Sequence, residues 1–482
     1  MQVREQVYIG GEWVAPDGAG AIEVISAHSE AVIGQVPDAS PADMDRAVAA
    51  AREAFDHGPW SRMAPAERAA GISRLSLAIQ ARAQEFADTI SVANGSPKQW
   101  SLMGQVFSAT MVLDTYARIA TEFEFSDDRM GAFGSPVTVR RAPVGVVAAI
   151  IPWNVPLFIA ALKLGPAMAA GCSVVLKPAP ETALDGYLLA EAVAEADLPP
   201  GVVNVVVAGR ETGEHLVRHR GIDKVSFTGS TAVGRHIGAI CGEQIKRCTL
   251  ELGGKSAAIV LDDWVLDDAG LGNLVASGLM NNGQACGAQT RILVSANRYD
   301  EVVDALAAKI GPMKTGDPLA DDTEIGPLVA QRQQERVKGL LDAGKRAGAR
   351  AVVGGGVPAD LPTGWYIEPT VFADVTNDMV IAREEIFGPV LSVIKYGTEE
   401  EAIAIANDSD YGLCGSVWTG DPEHGAEVGA QVRTGVVAIN SSLILDFNAP
   451  FGGFKASGIG RELGPEGIGP YTEYQTIIKP AG

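Results

Sequence analysis

The chain has 482 residues, which predicts two or three domains of about 100–200 residues each. Its net charge of −21 repels nucleic-acid phosphates and anionic membranes, and its N-terminus, MQVREQVYIGGEW, lacks the apolar core of a secretory signal. Five scattered cysteines without a C-x-x-C pair argue against a disulfide framework and predict a reducing, cytoplasmic location.

The first third of the chain alternates between strand-like and helical patterns. YIGGEWV is strand-like, and an alanine-rich stretch from about Ala42 to Ala93 has apolar residues at helical spacing. The segment PVTVRRAPVGVVAAI then predicts further strands.

The stretch from Val144 to Leu162 carries no charge and is almost entirely apolar. It is just long enough for a membrane helix, but Pro152 and Pro156 would break a single helix. We therefore predict a buried strand from Val144 to Ile151 and a helix that begins near Pro156, because proline suits a first helical turn.

From Val144 onward, apolar runs alternate with helical segments. The runs VGVVAAII, GCSVVLKPA, VVNVVVAG and KVSFTGS are followed by helical segments that begin near Pro156, Thr182, Glu211 and Thr231. This pattern indicates a parallel sheet covered on both faces, and such sheets bind ligands outside the carboxyl ends of their strands. A second α/β stretch follows ELGGKSAAIVL, with the strands RILVS, VFADV and VLSVIKY and a helix around Tyr299–Ile310.

Two features at strand ends are candidates for binding a dinucleotide. The motif GSTAVG follows a predicted strand, so Ser230 could cap the next helix, whose N-terminal N–H groups suit a phosphate. Lys177 ends the strand SVVLK, where its amine could reach a ribose or a phosphate. The alternatives are an ordinary capped turn and a solvated strand end.

Cys286 is a candidate nucleophile. It lies in NNGQACGAQTR between Ala285 and Gly287, whose small size leaves room for a substrate to approach the sulfur. A lone cysteine is more often a buried small hydrophobic residue, so its role depends on the residues that accompany it. The sequence contains no cluster of cysteines and histidines with metal-ligand spacing.

Seven short motifs carry a resemblance to a known family. They are PWN from Pro152, KPAPET from Lys177, FTGSTAVG from Phe227, ELGGKS from Glu251, NNGQACGAQTR around Cys286, EEIFGPV from Glu384 and PFGGFKASGIGRE from Pro450. Each motif is weak alone, but in this order they are specific. The chain resembles the aldehyde dehydrogenase superfamily over essentially its whole length.

The resemblance implies the fold and its division into domains. We expect a turn between domains near Gly253–Gly254 and an assembly into a homodimer or homotetramer. The implied α/β parts are a Rossmann-like parallel-sheet NAD(P)-binding domain (residues 1–121 and 142–253), an α/β catalytic domain (254–450) and a small β oligomerisation arm (122–141 and 465–482).

The resemblance also implies three catalytic roles. Cys286 would attack the aldehyde carbon as a thiolate, and Asn154 together with the backbone N–H of Cys286 would stabilise the oxyanion. Glu251 would activate the water that hydrolyses the resulting thioester, and a structural carboxylate at a domain hinge is its alternative role. An amide inside an apolar run is then understandable, because a neutral amide can be buried once its hydrogen bonds are satisfied.

NAD is the implied cofactor, with NADP as the alternative. Many NAD-preferring members have a glutamate three residues after the lysine that aligns with Lys177, whereas this chain has Pro180 there and the acid follows at Glu181. The implied cofactor-binding residues are Trp153, Lys177, Gly209, Gly229, Ser230, Val233, Leu252, Glu385 and Phe387.

The implied substrate is an apolar aldehyde of aliphatic, aromatic or terpenoid-like character. No arginine occupies the aligned positions, which argues against a semialdehyde with a second carboxylate. No metal is implied. The implied lining residues are Val155, Phe158, Leu162, Leu443, Leu445 and Phe451.

Three alternatives stay open beside oxidation of an apolar aldehyde to its acid. A coenzyme A-acylating or semialdehyde dehydrogenase would share the fold, and coenzyme A would reveal the first by its acyl-CoA product. A catalytically silent, cofactor-binding structural protein would turn over no aldehyde. A cysteine hydrolase needs a partner histidine, and none of the six histidines lies in a suggestive motif.

Overall fold

Two large sheets with mainly parallel strands form the framework of the protein. The structure is a computed structural model and describes residues 1–480. Apolar side chains from both faces of each sheet pack against helices, which gives two hydrophobic clusters per sheet. The architecture confirms the expected α/β class with a Rossmann-like sheet and a second α/β sheet.

The first sheet has eight strands. In spatial order they are Gly458–Ile459, Arg247–Glu251, Lys224–Thr228, Val146–Ile150, Ser173–Lys177, Val203–Val205, Val7–Ile9 and Glu12–Val14. The five central strands are parallel, and those at the two edges are antiparallel to their neighbours.

The five central strands follow the Rossmann order 3-2-1-4-5 when they are numbered along the chain. The order reverses between Val146–Ile150 and Lys224–Thr228, which are paired in parallel. Val147 and Ala149 belong to one hydrophobic cluster, whereas Val146 and Ala148 belong to the other. The central strand is therefore apolar throughout because both of its faces are covered.

The second sheet has seven strands, of which the first in spatial order is antiparallel to its neighbour. In spatial order they are Arg350–Val353, Thr370–Val375, Val390–Tyr396, Arg291–Ser295, Ala257–Val260, Cys414–Trp418 and Val436–Ile439. The segment 252–256, which contains the predicted turn at Gly253–Gly254, connects the first sheet to the second.

Within residues 1–480, the remaining strands form three small sheets. One joins Gln2–Val3, Val32–Pro37 and Ala21–Ile25, and another joins Tyr411–Gly412 and Phe454–Lys455. The third joins Thr472–Ile478, Pro136–Pro143 and Ser126–Met130. This third sheet falls in the predicted arm, whose residues 481–482 lie outside the described residues.

Within residues 1–480, fifteen α-helices and a few shorter turns of helix surround the sheets. The α-helices are Pro41–Asp56, Pro65–Ala81, Ala83–Asn94, Lys98–Trp100, Ser108–Glu122, Pro156–Ala170, Ala183–Glu195, Arg210–Arg218, Thr231–Gln244, Asp268–Leu279, Tyr299–Ile310, Gln331–Arg346, Val380–Arg383, Glu399–Asn407 and Pro422–Gly429. A π-helical segment, Ser101–Phe107, precedes Ser108–Glu122, and 3₁₀ turns are found at Trp60–Arg62, Pro180–Thr182, Met280–Gly283 and Pro465–Tyr471.

The apolar run divides as predicted. It forms the strand Val146–Ile150 and the helix Pro156–Ala170, every residue of which is buried. The helix is otherwise apolar on all sides because it lies in the core, and its one charged residue, Lys163, is buried as well. Across residues 1–480, no helix has both the length and the apolar character needed to cross a membrane.

The alanine-rich stretch expected to be one long helical region consists of several helices. Pro41–Asp56, Pro65–Ala81 and Ala83–Asn94 are its main parts. Pro59 and Pro65 account for the first break, because proline lacks an N–H and cannot continue a helix.

Candidate active site

A cavity of about 920 Å³ lies where the strand order of the first sheet reverses. Trp153, which follows the strand Val146–Ile150, lines it, and so does Gly229, which follows the strand Lys224–Thr228. Cys286 and Glu385 from the second half of the chain also line it. The cavity therefore occupies the position where sheets of this type bind ligands.

Asn154 is held in place by several other amides. Its backbone carbonyl accepts hydrogen bonds from Nδ2 of Asn94 at 3.1 Å, Nδ2 of Asn281 at 3.0 Å and Nε2 of Gln105 at 3.4 Å. Its own Nδ2 donates to the carbonyl of Gln284 at 2.8 Å. Within the described chain, no acceptor takes the second N–H of this buried amide, so it is available to a ligand.

Cys286 is partly buried, two residues after Gln284. Burial, together with the smaller effects of the carboxylates of Glu385 and Glu251, raises the pKa of its thiol to about 12. A Cβ at Gly287 would lie 2.2 Å from Cδ1 of Ile444, so a larger residue beside the thiol would require Ile444 to move. The thiol is neutral at pH 7 in this arrangement and must lose its proton before it can attack.

Glu251 ends a central strand of the first sheet and is 3% exposed. Within residues 1–480, neither of its carboxylate oxygens has a hydrogen-bond partner. Burial raises the pKa of this carboxyl well above its usual value, and the nearby Glu462 carboxylate adds to the effect, while Lys163 and Arg461 oppose it. A carboxyl group without partners at a cavity wall is free to exchange a proton with a bound molecule.

A buried ion pair lies beside Glu251. Nζ of Lys163 donates to Oε1 of Glu462 at 2.7 Å, and both side chains are almost completely buried. Sequence reasoning assigned neither residue a role. A lysine directly after a long apolar run was the signal that could have found Lys163, and Glu462 is the last residue of the family motif PFGGFKASGIGRE.

The turn after the strand Lys224–Thr228 suits a phosphate. Ser230 caps the helix Thr231–Gln244, with its Oγ accepting from the N–H of Val233 at 3.4 Å. Gly229 and Ser230 line the cavity, and a Cβ at Gly229 would lie 2.5 Å from the ring of Phe227. The free N–H groups of the helix and the small residue before it fit a pyrophosphate group.

Glu385 and Phe387 line the same cavity as Trp153 and Leu252. Oε1 of Glu385 accepts from the N–H of Gly254 at 2.9 Å, and burial raises the pKa of this carboxyl to about 7. The rings of Trp153 and Phe387 meet edge to face with centroids 5.4 Å apart. These groups fit a ribose with an adjoining flat ring, so the cavity suits the nicotinamide half of a dinucleotide.

Two residues that the sequence did not suggest hold the segment of Glu385 and Phe387. Nε2 of Gln333 donates to the carbonyl of Phe387 at 2.8 Å, and Nη1 of Arg336 donates to the carbonyl of Ile386 at 2.6 Å. Both donors lie on the helix Gln331–Arg346. That helix therefore positions one wall of the cavity.

Three of the expected cofactor-binding residues do not line the cavity. Gly209 precedes the helix Arg210–Arg218, and its N–H donates to Oδ1 of Asp38 at 2.8 Å, while Val233 is 40% exposed. Lys177 is only 6% exposed, so the alternative of a solvated strand end is wrong. Burial lowers the pKa of its amine to about 8.

All six residues expected to contact the substrate line the cavity. Sequence reasoning missed further lining residues, because they lie in helices and turns without a family motif in the sequence. These are Trp100, Gly104, Leu279, Met280 and Ile444. Among residues 1–480, no group of histidine, cysteine or acidic side chains could hold a metal ion.

Comparison with known proteins identifies the class of enzyme that this fold and site define. The model of the aldehyde dehydrogenase family matches residues 13–477. The chain therefore belongs to the aldehyde dehydrogenase family, which confirms the resemblance carried by its motifs. It is an oxidoreductase that acts on the aldehyde group.

Individual relatives match the chain over nearly its full length. It is 48% identical to geranial dehydrogenase of Castellaniella defragrans, over 98% of each chain. The crystal structure of Mycobacterium tuberculosis aldehyde dehydrogenase complexed with NAD+ is 47% identical, with a TM-score of 0.97 over 100% of this chain and 99% of that one. A mutant of aldehyde dehydrogenase C from Pseudomonas syringae, complexed with NAD+ and octanal, is 39% identical, with a TM-score of 0.94 over 98% and 96%.

Proposed function

We propose that this enzyme oxidises an apolar aldehyde to the carboxylic acid with NAD through a covalent intermediate on Cys286. The observation that carries the proposal is the presence of Cys286, Asn154 and Glu251 on the wall of one cavity. The same cavity is lined by Gly229 and Ser230, whose turn before the helix Thr231–Gln244 would suit a phosphate. These features supply a nucleophile, an oxyanion donor, a base and a cofactor site.

In the first step, the thiol of Cys286 releases its proton to solvent, the thiolate forms a bond to the aldehyde carbon, and the carbonyl oxygen becomes an oxyanion. The free N–H of the Asn154 amide and the backbone N–H of Cys286 donate to that oxygen. Because Asn154 is already fixed by its bond to Gln284, little reorganisation accompanies the reaction.

When bound, a dinucleotide would supply the acceptor for the hydride that leaves the substrate carbon. This chain would hold it with Gly229 and Ser230 at the pyrophosphate, Glu385 at the nicotinamide ribose, and Trp153 and Phe387 beside the ring. The oxyanion collapses as the hydride leaves, which gives a thioester on Cys286.

In the last step, Glu251 removes a proton from water as the water oxygen bonds to the thioester carbon. The carbon–sulfur bond then breaks and releases the acid and the Cys286 thiolate. Burial raises the pKa of the Glu251 carboxyl, which makes its carboxylate a stronger base towards water.

Apolar walls support an apolar substrate. The lining residues Val155, Phe158, Leu162, Leu445 and Phe451 carry no charge. The relative from Castellaniella defragrans is named for geranial, and the structure from Pseudomonas syringae contains octanal, so both names support an aliphatic or terpenoid-like aldehyde.

The cationic residues on the cavity wall already have partners, which disfavours a semialdehyde. Nζ of Lys309 lies 2.7 Å from Oδ1 of Asp268. Arg336 donates to backbone carbonyls, and Arg332 pairs with Glu181. None of them is a free partner for a second carboxylate on the substrate.

NAD is the favoured cofactor, and two of the similar structures named above contain NAD+. NADP is the alternative cofactor, because Pro180 replaces the expected acid. The displaced Glu181 is paired with Arg332, so its carboxylate is partly neutralised and repels a 2′-phosphate less.

The proposal is tested by steady-state turnover of an aldehyde panel with each cofactor. We expect kcat/KM for octanal and geranial to exceed that for succinic semialdehyde by at least roughly tenfold. The carboxylate of succinic semialdehyde would lie against the apolar cavity wall without a cationic partner. The product should be the free acid whether or not coenzyme A is added. A preference for succinic semialdehyde, an acyl-CoA product or the absence of all turnover would contradict the proposal.

A further inference from the structure

Two consecutive asparagines form a left-handed turn shortly before Cys286. The φ angles of Asn281 and Asn282 are +52° and +60°, and both side chains are buried. Asparagine adopts this conformation more readily than most residues with a side chain. The turn brings both amides into the protein interior, where each of them has hydrogen-bond partners.

The amide of Asn281 joins the two parts of the proposed oxyanion site. Its Nδ2 donates to the backbone carbonyl of Asn154 at 3.0 Å and to the carbonyl of Gln284 at 3.3 Å. Its Oδ1 accepts from the hydroxyl of Ser96. All of its hydrogen-bonding positions are therefore directed towards the protein.

The backbone carbonyl of Gln284 accepts hydrogen bonds from two side-chain amides. It accepts from Nδ2 of Asn281 and, at 2.8 Å, from Nδ2 of Asn154. Asn281, Asn154 and Gln284 thus form a closed ring of hydrogen bonds, and Cys286 follows Gln284 by two residues. Asn94 and Gln105 also donate to the Asn154 carbonyl, but in the described chain neither of them bonds to Gln284.

We propose that Asn281 is a positioning residue for the oxyanion donor. It fixes the rotation of the Asn154 amide relative to the Cys286 loop, so that the free N–H of Asn154 points to where the substrate oxygen develops charge. This inference rests on the proposed function. A displaced donor loses transition-state stabilisation, because the oxyanion needs its donors in place before the reaction.

The test is a double-mutant cycle with Asn281→Asp and Asn154→Ala, measured as kcat/KM for octanal with NAD. Asn281→Asp keeps the size of the side chain but removes both N–H donors. We expect Asn154→Ala to lower kcat/KM on the order of 100-fold or more, and Asn281→Asp to lower it on the order of tenfold. Both kcat and kcat/KM should fall by the same factor, as for an interaction made in the transition state.

The diagnostic result is how far kcat/KM falls when Asn281→Asp is added to the Asn154→Ala variant. There the donor is absent, so Asn281→Asp should cost less than about twofold more. An equal tenfold loss in both backgrounds would overturn the inference, and so would an unchanged kcat/KM for Asn281→Asp alone. If Asn281→Asp does not fold, Asn281→Gly replaces it, because glycine adopts the same positive φ without an amide.

Asn282→Asp is the matched control. Asn282 lies in the same left-handed turn, but Nδ2 donates to the carbonyls of Gly95 and Pro327, and Oδ1 accepts from the N–H of Gly326. The Asn282→Asp variant should have a lower melting temperature, but its kcat should fall by no more than about twofold. A tenfold fall in its kcat would assign the effect to the turn rather than to Asn281. Failure of the proposed function itself would show separately, as an Asn154→Ala enzyme with unchanged kcat/KM.

Discussion

At the scale of single residues, burial sets the protonation states around the reactive sulfur. The pKa of the Cys286 thiol is raised to about 12, that of the Glu385 carboxyl to about 7, and that of the Glu251 carboxyl well above its usual value. In each case burial is the largest cause, since it disfavours the charged form. Before it reacts, the thiol is therefore neutral at pH 7, and burial disfavours the charged forms of both carboxyl groups.

The raised pKa of Cys286 predicts how the thiol responds to pH when no cofactor is bound. The thiolate is the reactive form, and below a pKa of about 12 its fraction rises about tenfold for each pH unit. The rate of alkylation of Cys286 by iodoacetamide, followed by peptide mass spectrometry, should rise in this way between about pH 6 and pH 9. A rate that is already constant above pH 6 would show a thiolate at neutral pH and contradict the assignment.

Several site residues could be predicted from short stretches of sequence, and others could not. Cys286, Glu251 and Asn154 lie in family motifs, so sequence alone suggested their roles. The pair of Lys163 and Glu462 joins positions 299 residues apart, and no local pattern records that contact. Likewise, only the tertiary structure shows that the two carboxylate oxygens of Glu251 have no hydrogen-bond partners within residues 1–480.

At the scale of elements, helix and strand positions followed closely from the sequence. The helix Tyr299–Ile310 has the predicted ends, and the strands before Asn154 and after Cys286 lie within their apolar runs. Apolar runs flanked by glycine or proline suffice to locate such elements. The spatial order of the strands could not be predicted from the sequence in this way, because strand pairing depends on contacts between distant segments.

The helix Gln331–Arg346 illustrates what sequence could not show. Its sequence is strongly polar, yet Arg336 and Gln333 reach the carbonyls of Ile386 and Phe387 and thereby support Glu385. From the sequence alone, many of its charged residues could not be distinguished from those on the solvent-exposed face of an ordinary helix. The contact that matters is made with a segment about 50 residues further along the chain.

We predict that Arg336→Met weakens the use of NAD. Loss of the guanidinium releases the segment around Glu385, so KM for NAD should rise about fivefold, which corresponds to roughly 1 kcal/mol. Lys338→Met, at an exposed position of the same helix, serves as the control. If both variants raised KM equally, the effect would be one of surface charge and the positioning role would be lost.

At the scale of the whole molecule, the arm presents apolar side chains to solvent. Phe133 is 98% exposed, Met130 73%, Ile478 70% and Tyr474 65%. They lie on or between strands of the sheet formed by Ser126–Met130, Pro136–Pro143 and Thr472–Ile478. A patch of this kind on a small sheet is typical of a protein interface, which supports the proposed homodimer or homotetramer.

The assembly can be tested by replacing one of these side chains. Ile478→Lys should raise the dissociation constant of the assembly by at least roughly tenfold, because a charge would be buried in an apolar contact. Sedimentation velocity measures the result, with Leu77→Lys as the control because Leu77 is an exposed apolar residue outside the arm. A wild-type protein that sediments as a monomer of 50.2 kDa would contradict the role of the arm.

The most direct measurement of the central claim is to trap the covalent intermediate. In Glu251→Gln the thioester forms but its hydrolysis is slow, so mixing the variant with octanal and NAD should release a burst of NADH in the first turnover. Mass spectrometry should then find the octanoyl group on the peptide that contains Cys286, and Cys286→Ala should show neither burst nor adduct. Aldehyde oxidation by Cys286→Ala, or an acyl group on a different residue, would contradict the account.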